Sequence, residues 1–496
     1  MPQSPTSFQF DNSYADDLPD FYVEGKPMEV SSPQLLQFNH ALAKDLGLDV
    51  EDLSEQELAE IFSGQKLLNG SRPIAQAYAG HQFGGFSPQL GDGRGLLLGE
   101  AIDESGNSWD IALKGSGATA FSRGGDGKAA VGAVLREYLI GEAMHGLGIP
   151  TTRALAAVAT GEQVYRERPL PGAIFTRVAA SHIRVGTFQF FAARQQTDQV
   201  RLLADYTIER HEPQLIGAED RYLLLLKAVA EKQAKLIADW MLVGFIHGVM
   251  NTDNMAISGE TIDYGPCAFM EAYDPSSVFS SIDAHGRYAY KNQAPIGQWN
   301  LTRFAETLLP IIDEENPERA VPKVEVILND FVIQYEKLWL AGAQTKLGLE
   351  DIASDADADK KLIEDWLNLL ETNSVDYTLG WRRLADAAEG NTDALLALFP
   401  SKEGIGQWLA RWLQQVEQQS NRVTAAKMRA VNPIYIPRNH LVEEALDAAT
   451  IESNLEPFQK LLAVLQNPFE ERAGLADYAQ PAPQKFTAEY QTFCGT

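Results

Sequence analysis

HGVMNTDNMAISGETIDYG, residues 247–265, carries the most informative pattern in this chain of 496 residues. A polar loop ends at Asp253 and Asn254, and a short strand, Met255–Ile257, and a turn separate that loop from Asp263-Tyr264-Gly265. Carboxylate and amide oxygens are the protein ligands that Mg²⁺ prefers. Asn254 and Asp263 are therefore candidate ligands of one divalent cation, at the two sides of a predicted hairpin.

The order of residues in this stretch resembles the catalytic segment of kinase-like enzymes, H-G-D-x-x-x-x-N followed by D-F-G. In that segment the first Asp accepts the proton of the attacking hydroxyl, and the Asn and the second Asp hold the metal. His247, Gly248 and Asn254 match the pattern, but Val249 stands where the proton-accepting Asp belongs. Valine cannot accept a proton, and the next acidic side chain is Asp253. The pattern predicts a retained metal site and a displaced base.

Composition and charge narrow the classes of function. Hydrophobic residues make up 45% of the chain and charged residues 22%, which is ordinary for a soluble globular protein. A formal net charge of −27 disfavours nonspecific binding to nucleic acids or anionic membranes. Residues 1–25 contain no Lys or Arg, so neither a secretory signal nor a transit peptide is predicted. We expect a cytosolic protein without nucleic-acid or membrane partners; a monomer is the default, and the oligomeric state stays open.

Changes in residue pattern divide the chain into four predicted segments. They are an N-terminal extension at 1–75, a β-rich lobe at 76–185, a helical lobe at 186–345 and a C-terminal helical region at 346–496. Glycine-rich turns and short β-type runs are typical of the second segment, and helical patterns dominate after it. The predicted fold class is α+β, a protein-kinase-like bilobal fold with extra helical segments at both ends.

Individual elements follow from periodicity and from end signals. The sequence predicts helices at Pro33–Leu46, Ser54–Phe62, Ala130–Leu147 and Arg221–Phe245, a hairpin of Leu96–Ile102 with Trp109–Lys114, and strands at Ala154–Ala159 and Gly172–Val178. Further helical patterns cover 302–313, 322–342, 358–370, 379–398, 403–429 and 455–466.

A glycine-rich turn, a lysine and a glutamate occur in the β-rich lobe in the order that a nucleotide site requires. Gly91 and Gly93 would let backbone N–H groups approach phosphate oxygens, although most such turns only join strands. Lys114 ends a strand that resembles the V-A-I-K strand of kinases, and Glu137 lies in the next helix, where its partner belongs. An exposed lysine and a helix-face glutamate are the alternative. The common order of these groups and the metal ligands favours the nucleotide site.

A second glycine-rich loop, residues 115–128, joins Lys114 to the following helix. Its glycines and hydroxyls could surround anionic oxygens, and a flexible linker is the alternative. Further along, Arg177 and Arg184 lie near the expected hinge between the lobes. A guanidinium offers forked donors that suit phosphate, and ion pairs with the many carboxylates are the competing explanation.

Several long stretches of this chain together resemble the selenoprotein O family (SelO, also called YdiU) of pseudokinase-like protein adenylyltransferases. The resemblance runs through AYAGHQFGGFSPQLGDGRG at 77–95, LKGSGATAFSRGGDGKAAVGAVLREYLIGEAMHGLGIPTTRAL at 113–155, FTRVAASHIRVGTFQFFA at 175–192, HGVMNTDNMAISGETIDYGPCAFM at 247–270, NPIYIPRNHL at 432–441 and TFCGT at 492–496. It covers nearly the whole chain, and strings of this length make coincidence a poor explanation.

The resemblance implies transfer of AMP from ATP to Ser, Thr or Tyr hydroxyls of proteins, with Mg²⁺ or Mn²⁺ as the cofactor and pyrophosphate as the leaving group. ATP would bind in an orientation flipped relative to kinases. By this resemblance Lys114, positioned by Glu137, contacts phosphate, and Arg177 and Arg184 bind phosphate as well. Asn254 and Asp263 are implied to bind the metal, with Asp263 also contacting ATP, and Asp253 is the implied general base. The residues implied to bind the nucleotide are Gly91, Gly93, Arg94, Asp126 and Gly127.

The cysteines are few and suggestively placed. Cys267 follows the Asp263 motif, and Cys494 lies near the end of the chain, where eukaryotic members of the family place selenocysteine. We expect a reversible disulfide that controls access to the site; two unrelated thiols in a reducing compartment are the alternative.

Two other functions stay open. One is a phosphoryl-transferring atypical kinase, which Val249 disfavours. The other is a non-catalytic nucleotide-binding pseudokinase scaffold, which the intact ligands Asn254 and Asp263 disfavour.

Overall fold

The structure is a computed structural model that describes residues 10–349, 356–416 and 421–493. Within these residues eight strands form one antiparallel sheet, in the order β1-β3-β6-β7-β10-β9-β2 with β8 paired to β10. In chain order the strands are β1 Tyr22–Glu24, β2 Gln34–Phe38, β3 Ile74–Gln76, β4 Gly80–Gln82, β5 Gly85–Ser87, β6 Gly95–Ile102, β7 Ser108–Lys114, β8 Ala129–Ala130, β9 Arg153–Tyr165, β10 Pro169–Ala179, β11 Phe245–Ile246 and β12 Ala268–Phe269. Strands β4 and β5 form a separate hairpin, and β11 pairs with β12.

The predicted hairpin of β6 and β7 is confirmed. Its turn is stabilised by Asp103, whose carboxylate accepts hydrogen bonds from the backbone of Ser105 and Asn107 and from the indole of Trp109. Gly106 adopts a φ of 83°, the left-handed region in which glycine is unstrained. The two strands at 154–159 and 172–178 are confirmed as well, and both extend beyond the predicted bounds as β9 and β10.

Many helices surround the sheet. In chain order they are α1 Ser13–Asp17, α2 His40–Asp45, α3 Glu55–Phe62, α4 Val131–Gly146, α5 Val185–Ala192, α6 Thr197–His211, α7 Arg221–Val243, α8 Gln293–Ile312, α9 Val321–Lys346, α10 Ala356–Thr372, α11 Tyr377–Ala388, α12 Asp393–Leu396, α13 Ile405–Val416, α14 Asn421–Val431, α15 Asn439–Ile451, α16 Glu456–Leu465 and α17 Gln484–Glu489. Helices α3, α4 and α7 confirm predictions, and Ser54 caps α3 in a capping box with Glu57.

The predicted helix at Pro33–Leu46 is wrong in its first half. Residues Gln34–Phe38 form β2, the edge strand that pairs with β9. The helix starts at His40, because the Asn39 side chain accepts a hydrogen bond from Leu42 N at 3.0 Å and caps it there. Pairing with β9 therefore overrides the helical pattern of the apolar residues.

Other boundaries also differ from the predictions. The pattern at 379–398 comprises two helices, α11 and α12, because the chain turns at Gly390 with a φ of 92°. The pattern at 403–429 covers α13 and α14, and residues 417–420 lie outside the described part. Helix α15 was not predicted. No strand forms at Met255–Ile257; Ala256 makes only an isolated bridge with Arg184.

Buried side chains cover the sheet on both faces. The larger hydrophobic core joins α4, the sheet and the helices from α5 onward. A smaller core, with Leu42, Leu58 and Phe62 from α2 and α3, packs on the other face. The predicted α+β class is confirmed, whereas the kinase-like bilobal arrangement and the four segment boundaries stay predictions. Among the described residues, no helix combines the length and apolarity needed to cross a membrane.

Candidate active site

The short β11–β12 ladder holds the two ends of the loop predicted to be catalytic. Phe245 pairs with Phe269 and Ile246 with Ala268, so the intervening residues form a closed loop. Inside the loop His247 is buried, and its Nε2 lies 2.9 Å from the carbonyl oxygen of Ile262, which identifies Nε2 as the donor. This hydrogen bond connects the start of the loop to the residue before Asp263. It therefore fixes where the Asp263 carboxylate can lie.

Lys114, Glu137 and Asp263 meet at the boundary between the sheet and the helices. Lys114 Nζ lies 2.5 Å from Glu137 Oε2 and 2.6 Å from Asp263 Oδ1. Strand β7 supplies the lysine, helix α4 the glutamate and the loop the aspartate, which is 149 positions from the lysine. Asp263 has a φ of 65°, an uncommon conformation for a residue other than glycine that is frequent at functional sites.

Both predicted arginines point to the same carboxylate. Arg177 Nη1 lies 2.9 Å from Asp263 Oδ1 and 3.1 Å from Glu137 Oε1, and Arg184 Nη2 lies 3.9 Å from Asp263 Oδ2. Burial alone would raise the pKa of Asp263, but Lys114, Arg177 and Arg184 outweigh it and hold the pKa well below its usual range. Asp263 is therefore ionised at neutral pH, as a metal ligand must be.

Arg184 is buried and keeps part of its hydrogen-bonding capacity unused. Its guanidinium carbon lies 4.4 Å from the centre of the Tyr78 ring, and Nη1 lies 3.5 Å from Asp92 Oδ1. Its Nε is buried without a hydrogen-bond partner among the described residues. A buried donor without a partner is costly, so this nitrogen is expected to bind a ligand group.

The surroundings of Asp253 disfavour the ionised form of its carboxyl group. It lies in a 3₁₀ turn, Thr252–Asn254, and is only 7% exposed. Its Oδ2 accepts a hydrogen bond from Gln82 Nε2 at 3.2 Å, and its Oδ1 is buried without a partner among the described residues. Burial is the main reason that the pKa of Asp253 rises to about 6. A carboxylate with such a pKa can accept a proton near neutral pH.

The oxygen atoms of Asn254 and Asp263 fit a hard divalent cation. Asn254 donates a hydrogen bond from Nδ2 to Val249 O at 3.0 Å, which uses its nitrogen and leaves the amide oxygen, the atom by which amides bind cations. No cluster of three or more His, Cys, Asp or Glu side chains suited to a metal occurs in the described ranges. Mg²⁺ does not need one, because it is usually held by one or two protein ligands together with substrate phosphates.

The two glycine-rich loops pack against each other. Thr119 Oγ1 donates to Asp92 O at 2.6 Å, and the Ser122 hydroxyl donates to Gly93 O. A Cβ at Gly91 would collide with the Phe121 ring, so glycine is required for this contact. The loops thus form one unit, which their separate sequence patterns did not predict.

The remaining predicted residues lie around this unit. Gly127 has a φ of 68°, and a Cβ there would collide with the backbone at Gly117. Asp126 pairs with Arg166 at 2.8 Å, which helps to lower the pKa of the Asp126 carboxyl. The carbonyl oxygen of Arg94 accepts a hydrogen bond from Gly115 N at 2.7 Å. The structure therefore places both loops beside the end of β7 and Lys114.

Sequence reasoning missed the β4–β5 hairpin as part of the site. Besides Gln82, it contributes His81 N, which donates to Thr252 Oγ1 at 2.7 Å, and Phe83 N, which donates to Asn251 Oδ1 at 3.1 Å. A Cβ at Gly80 would collide with the Asp253 carboxylate. Only the family resemblance includes the string HQFGG, residues 81–85, since nothing in its spacing connects it to Asp253.

A buried histidine behind Arg177 was also missed. Arg177 Nε donates to His182 Nε2 at 3.1 Å, so Nδ1 of the histidine must carry the proton that it donates to Asp110 Oδ2 at 2.9 Å. Burial lowers the pKa of His182, which keeps the ring neutral. Asp110 also accepts from Arg210 at 2.6 Å. The orientation of Arg177 therefore depends on a chain of buried groups.

Of the two cysteines predicted to form a redox-sensitive disulfide, only Cys267 lies among the residues that the structure describes. Cys267 is buried, its Sγ lies 3.3 Å from Tyr264 O, and burial raises the pKa of the thiol to about 11. Such a thiol is almost fully protonated at neutral pH and reacts slowly. Cys494 lies outside the described residues, so the disulfide stays a prediction.

Comparison with known proteins identifies the family. The sequence model described as "Protein adenylyltransferase SelO" matches residues 5–466. Relatives named "Protein nucleotidyltransferase YdiU" occur in Chromobacterium violaceum, 59% identical over 481 residues that cover 97% of this chain and 100% of the relative, and in Cereibacter sphaeroides, 59% identical over 491 residues that cover 99% and 100%. A third, from Rhizobium johnstonii, is 55% identical over 494 residues that cover 99% and 98%. A buried carboxylate, a lysine–glutamate pair and two phosphate-suited arginines thus occur in a chain that belongs to the SelO family of protein adenylyltransferases.

Proposed function

We propose that this protein transfers AMP from ATP to a Ser, Thr or Tyr hydroxyl of another protein and releases pyrophosphate. The observation that carries the proposal is the convergence of Lys114, Arg177 and Arg184 on Asp263 in a chain of this family. Such a cluster of cations around the phosphates would stabilise the charge that develops on the leaving pyrophosphate.

Asp253 is proposed as the general base. The acceptor oxygen forms a bond to the α-phosphorus as the bond from that phosphorus to pyrophosphate breaks, and the hydroxyl proton passes to Asp253. The unpartnered Oδ1 of Asp253 is the atom that would receive it. Gln82 holds the other oxygen and so keeps the carboxylate oriented. Val249, at the usual position of the base, is buried and cannot take part.

Asn254 and Asp263 are the proposed ligands of Mg²⁺ or Mn²⁺, which would neutralise charge on the phosphate oxygens. Lys114, Arg177 and Arg184 would bind the phosphates, and Glu137 holds Lys114 in position through the 2.5 Å contact. The nucleotide would lie against the unit formed by the two glycine-rich loops, which contains Gly91, Gly93, Arg94, Asp126 and Gly127. The packing of Ser122 on Gly93 supports this assignment, because it fixes backbone groups beside Lys114.

Labelled ATP tests the proposal against both alternatives. The protein is incubated with Mg²⁺, acceptor proteins and ATP labelled at the α- or the γ-phosphate. We expect α label on protein and release of pyrophosphate. Label from the γ position would identify an atypical kinase, and binding without any transfer would identify a pseudokinase scaffold; either result overturns the proposal.

A reversible disulfide between Cys267 and Cys494 is proposed as a control on this activity. It is supported by Thr492, whose Oγ1 donates to Pro266 O at 2.7 Å and so places residue 492 beside Cys267. Mass spectrometry without reductant after mild oxidation should detect the linked peptides, and dithiothreitol should change the rate of transfer. Free thiols and an unchanged rate would refute it. The cytosolic location and the monomeric state stay predictions from the sequence.

A further inference from the structure

Arg287 lies beside the candidate site without a carboxylate partner. Among the described residues, no Asp or Glu oxygen lies within 4.0 Å of its guanidinium nitrogens, although the chain carries a formal charge of −27. Asp283 is close in sequence, but its carboxylate accepts from the backbone N–H groups of Arg287 and Tyr288 instead. Nε and Nη2 of Arg287 are buried and have no hydrogen-bond partner in the described part of the chain.

Aromatic rings hold this guanidinium in place. Its central carbon lies 4.7 Å from the centre of the Trp299 ring and 5.7 Å from that of Tyr288. Stacking on rings orients a guanidinium without neutralising its charge, so Arg287 remains able to bind an anion. Phe86, in β5, is 41% exposed and packs on His81, whose ring centre lies 5.2 Å from that of Trp299. We call Phe86, Arg287 and Trp299 the hairpin patch.

The hairpin patch and Asp253 contact the same hairpin. Gln82 donates to the Asp253 carboxylate, and a Cβ at Gly84 would lie 3.6 Å from the guanidinium carbon of Arg287. The Cα atoms of residues two apart are separated by at most about 7 Å. An extended peptide advances about 3.3 Å per residue. A peptide whose hydroxyl reaches Asp253 would therefore bring a residue two to four positions away to Arg287.

We propose that the hairpin patch is the docking surface for the acceptor polypeptide, and that Arg287 selects acceptors with Asp or Glu two to four residues from the modified hydroxyl. The inference rests on the proposed function and specifies the class of acceptor protein that the reaction would use. A carboxylate would pair with the half-buried guanidinium of Arg287, and Trp299 and Phe86 would contact the stem of the side chain. The negative net charge of the chain would repel acidic acceptors from other parts of its surface. Because Arg287 has no carboxylate partner, its positive charge would attract such acceptors to the surface near Asp253.

Matched acceptor peptides test the inference. Each contains one central Ser in an otherwise neutral background, with Glu, Gln or Lys placed three residues away on either side, and transfer is measured with α-labelled ATP. We expect kcat/KM for the Glu peptide to exceed that for the Gln peptide by about tenfold, mainly through KM. The Arg287→Gln variant should reduce this ratio to about one, and Arg287→Glu should prefer the Lys peptide.

Arg303→Gln is the control. Arg303 also stacks on Trp299, with its guanidinium carbon 5.2 Å from the ring centre, but it is paired with Glu306 at 2.6 Å. Its loss should leave the Glu preference intact. Equal transfer to the Glu and Gln peptides by the unmodified protein, or an equal effect of both arginine variants, overturns the inference while the proposed function stands. Absence of α label on every peptide overturns both.

Discussion

Asp263 illustrates how single residues in this site depend on several partners. Its carboxylate lies within 4.0 Å of Lys114, Arg177 and Arg184, and each of these is held by another group. The predicted pairing of Lys114 with the α4 glutamate follows from motif order, since both elements are local in sequence. The hydrogen bond from Arg177 to His182 was not predictable in this way, because it depends on the turn between β10 and α5.

Asp253→Asn tests the base at the residue scale. The amide cannot accept the hydroxyl proton, so the rate of AMP transfer should fall by about 10²–10⁴-fold. The dissociation constant for ATP should change little, because the proposed role of Asp253 is at the acceptor hydroxyl and not at the phosphates. Transfer kinetics and direct titration of ATP measure the two effects separately. Near-normal transfer by this variant would remove Asp253 from the mechanism.

His182 is expected to position Arg177. In His182→Phe the Arg177 Nε loses its acceptor and is left buried and unpaired, at a cost of about 1–3 kcal/mol. We expect the KM for ATP to rise by roughly 5–150-fold. His182→Gln retains an acceptor oxygen and should recover most of the affinity. If both variants lose the same affinity at equal thermal stability, the hydrogen bond to Arg177 has no functional role.

At the scale of elements, the sequence indicated most pieces of the site but not how they meet. The β6–β7 hairpin, helix α4 and the 247–265 loop were predictable, because turn residues, end signals and motif spacing are local properties. The packing of the two glycine-rich loops and the support of Asp253 by β4 and β5 were not, because both require contacts between distant segments. The error at β2 has the same cause, since an edge strand depends on its partner.

Gly127→Ala tests the unit formed by the glycine-rich loops. Its Cβ would collide with the Gly117 backbone, so the loops must separate, and we expect weaker ATP binding. Gly124 is the matched control: its φ is also positive, 86°, but a Cβ there would have no atom within 4 Å. Titration of ATP against both variants isolates the packing effect. Equal losses would show that backbone strain alone matters.

Lys346, at the end of α9, should destabilise the fold. It is 4% exposed, and burial lowers its pKa from 10.5 to about 7. The unfolded chain therefore binds a proton more readily than the folded chain between pH 7 and 10.5, so the Lys346 contribution to stability rises with pH there and is constant below about 7. Lys346→Met should raise the free energy of unfolding at pH 7 by up to about 4 kcal/mol.

Urea denaturation at pH 7 and pH 9.5 measures this effect. The gain should be smaller at the higher pH, because the charged form is then less favoured in the unfolded chain as well. Lys337→Met, an exposed position on the same helix, should change little at either pH. A pH-independent gain at Lys346 would indicate packing instead of charge.

For the whole molecule, contacts between remote segments complete the site. Thr492 pairs with Ser280 in a parallel bridge, and Tyr490 accepts a hydrogen bond from Arg136 of α4 at 3.4 Å. Arg136 also donates to Cys267 O at 2.6 Å. The C-terminal segment therefore holds both the helix that carries Glu137 and the loop that follows Asp263. No local pattern predicts such contacts; the family resemblance only indicated that the final residues matter.

Thr492→Val tests this long-range contact. The substitution keeps the shape but removes the hydroxyl that donates to Pro266 O, which leaves a buried carbonyl unpaired and costs about 1–3 kcal/mol. We expect a lower melting temperature and faster amide exchange in residues 266–281. Thr487→Val removes an exposed hydroxyl and serves as the control. Unchanged exchange in the loop would mean that Thr492 does not hold it.

The link between Thr492 and Pro266 also has a consequence during synthesis. The two residues are 226 positions apart, so a ribosome that adds about 5–20 residues per second needs roughly 11–45 s to make the second after the first. Throughout that interval the nascent chain already contains Lys114, Asp253 and Asp263 but lacks the segment that fastens the loop beside them. Translation itself thus delays the completed site until Thr492 has been added.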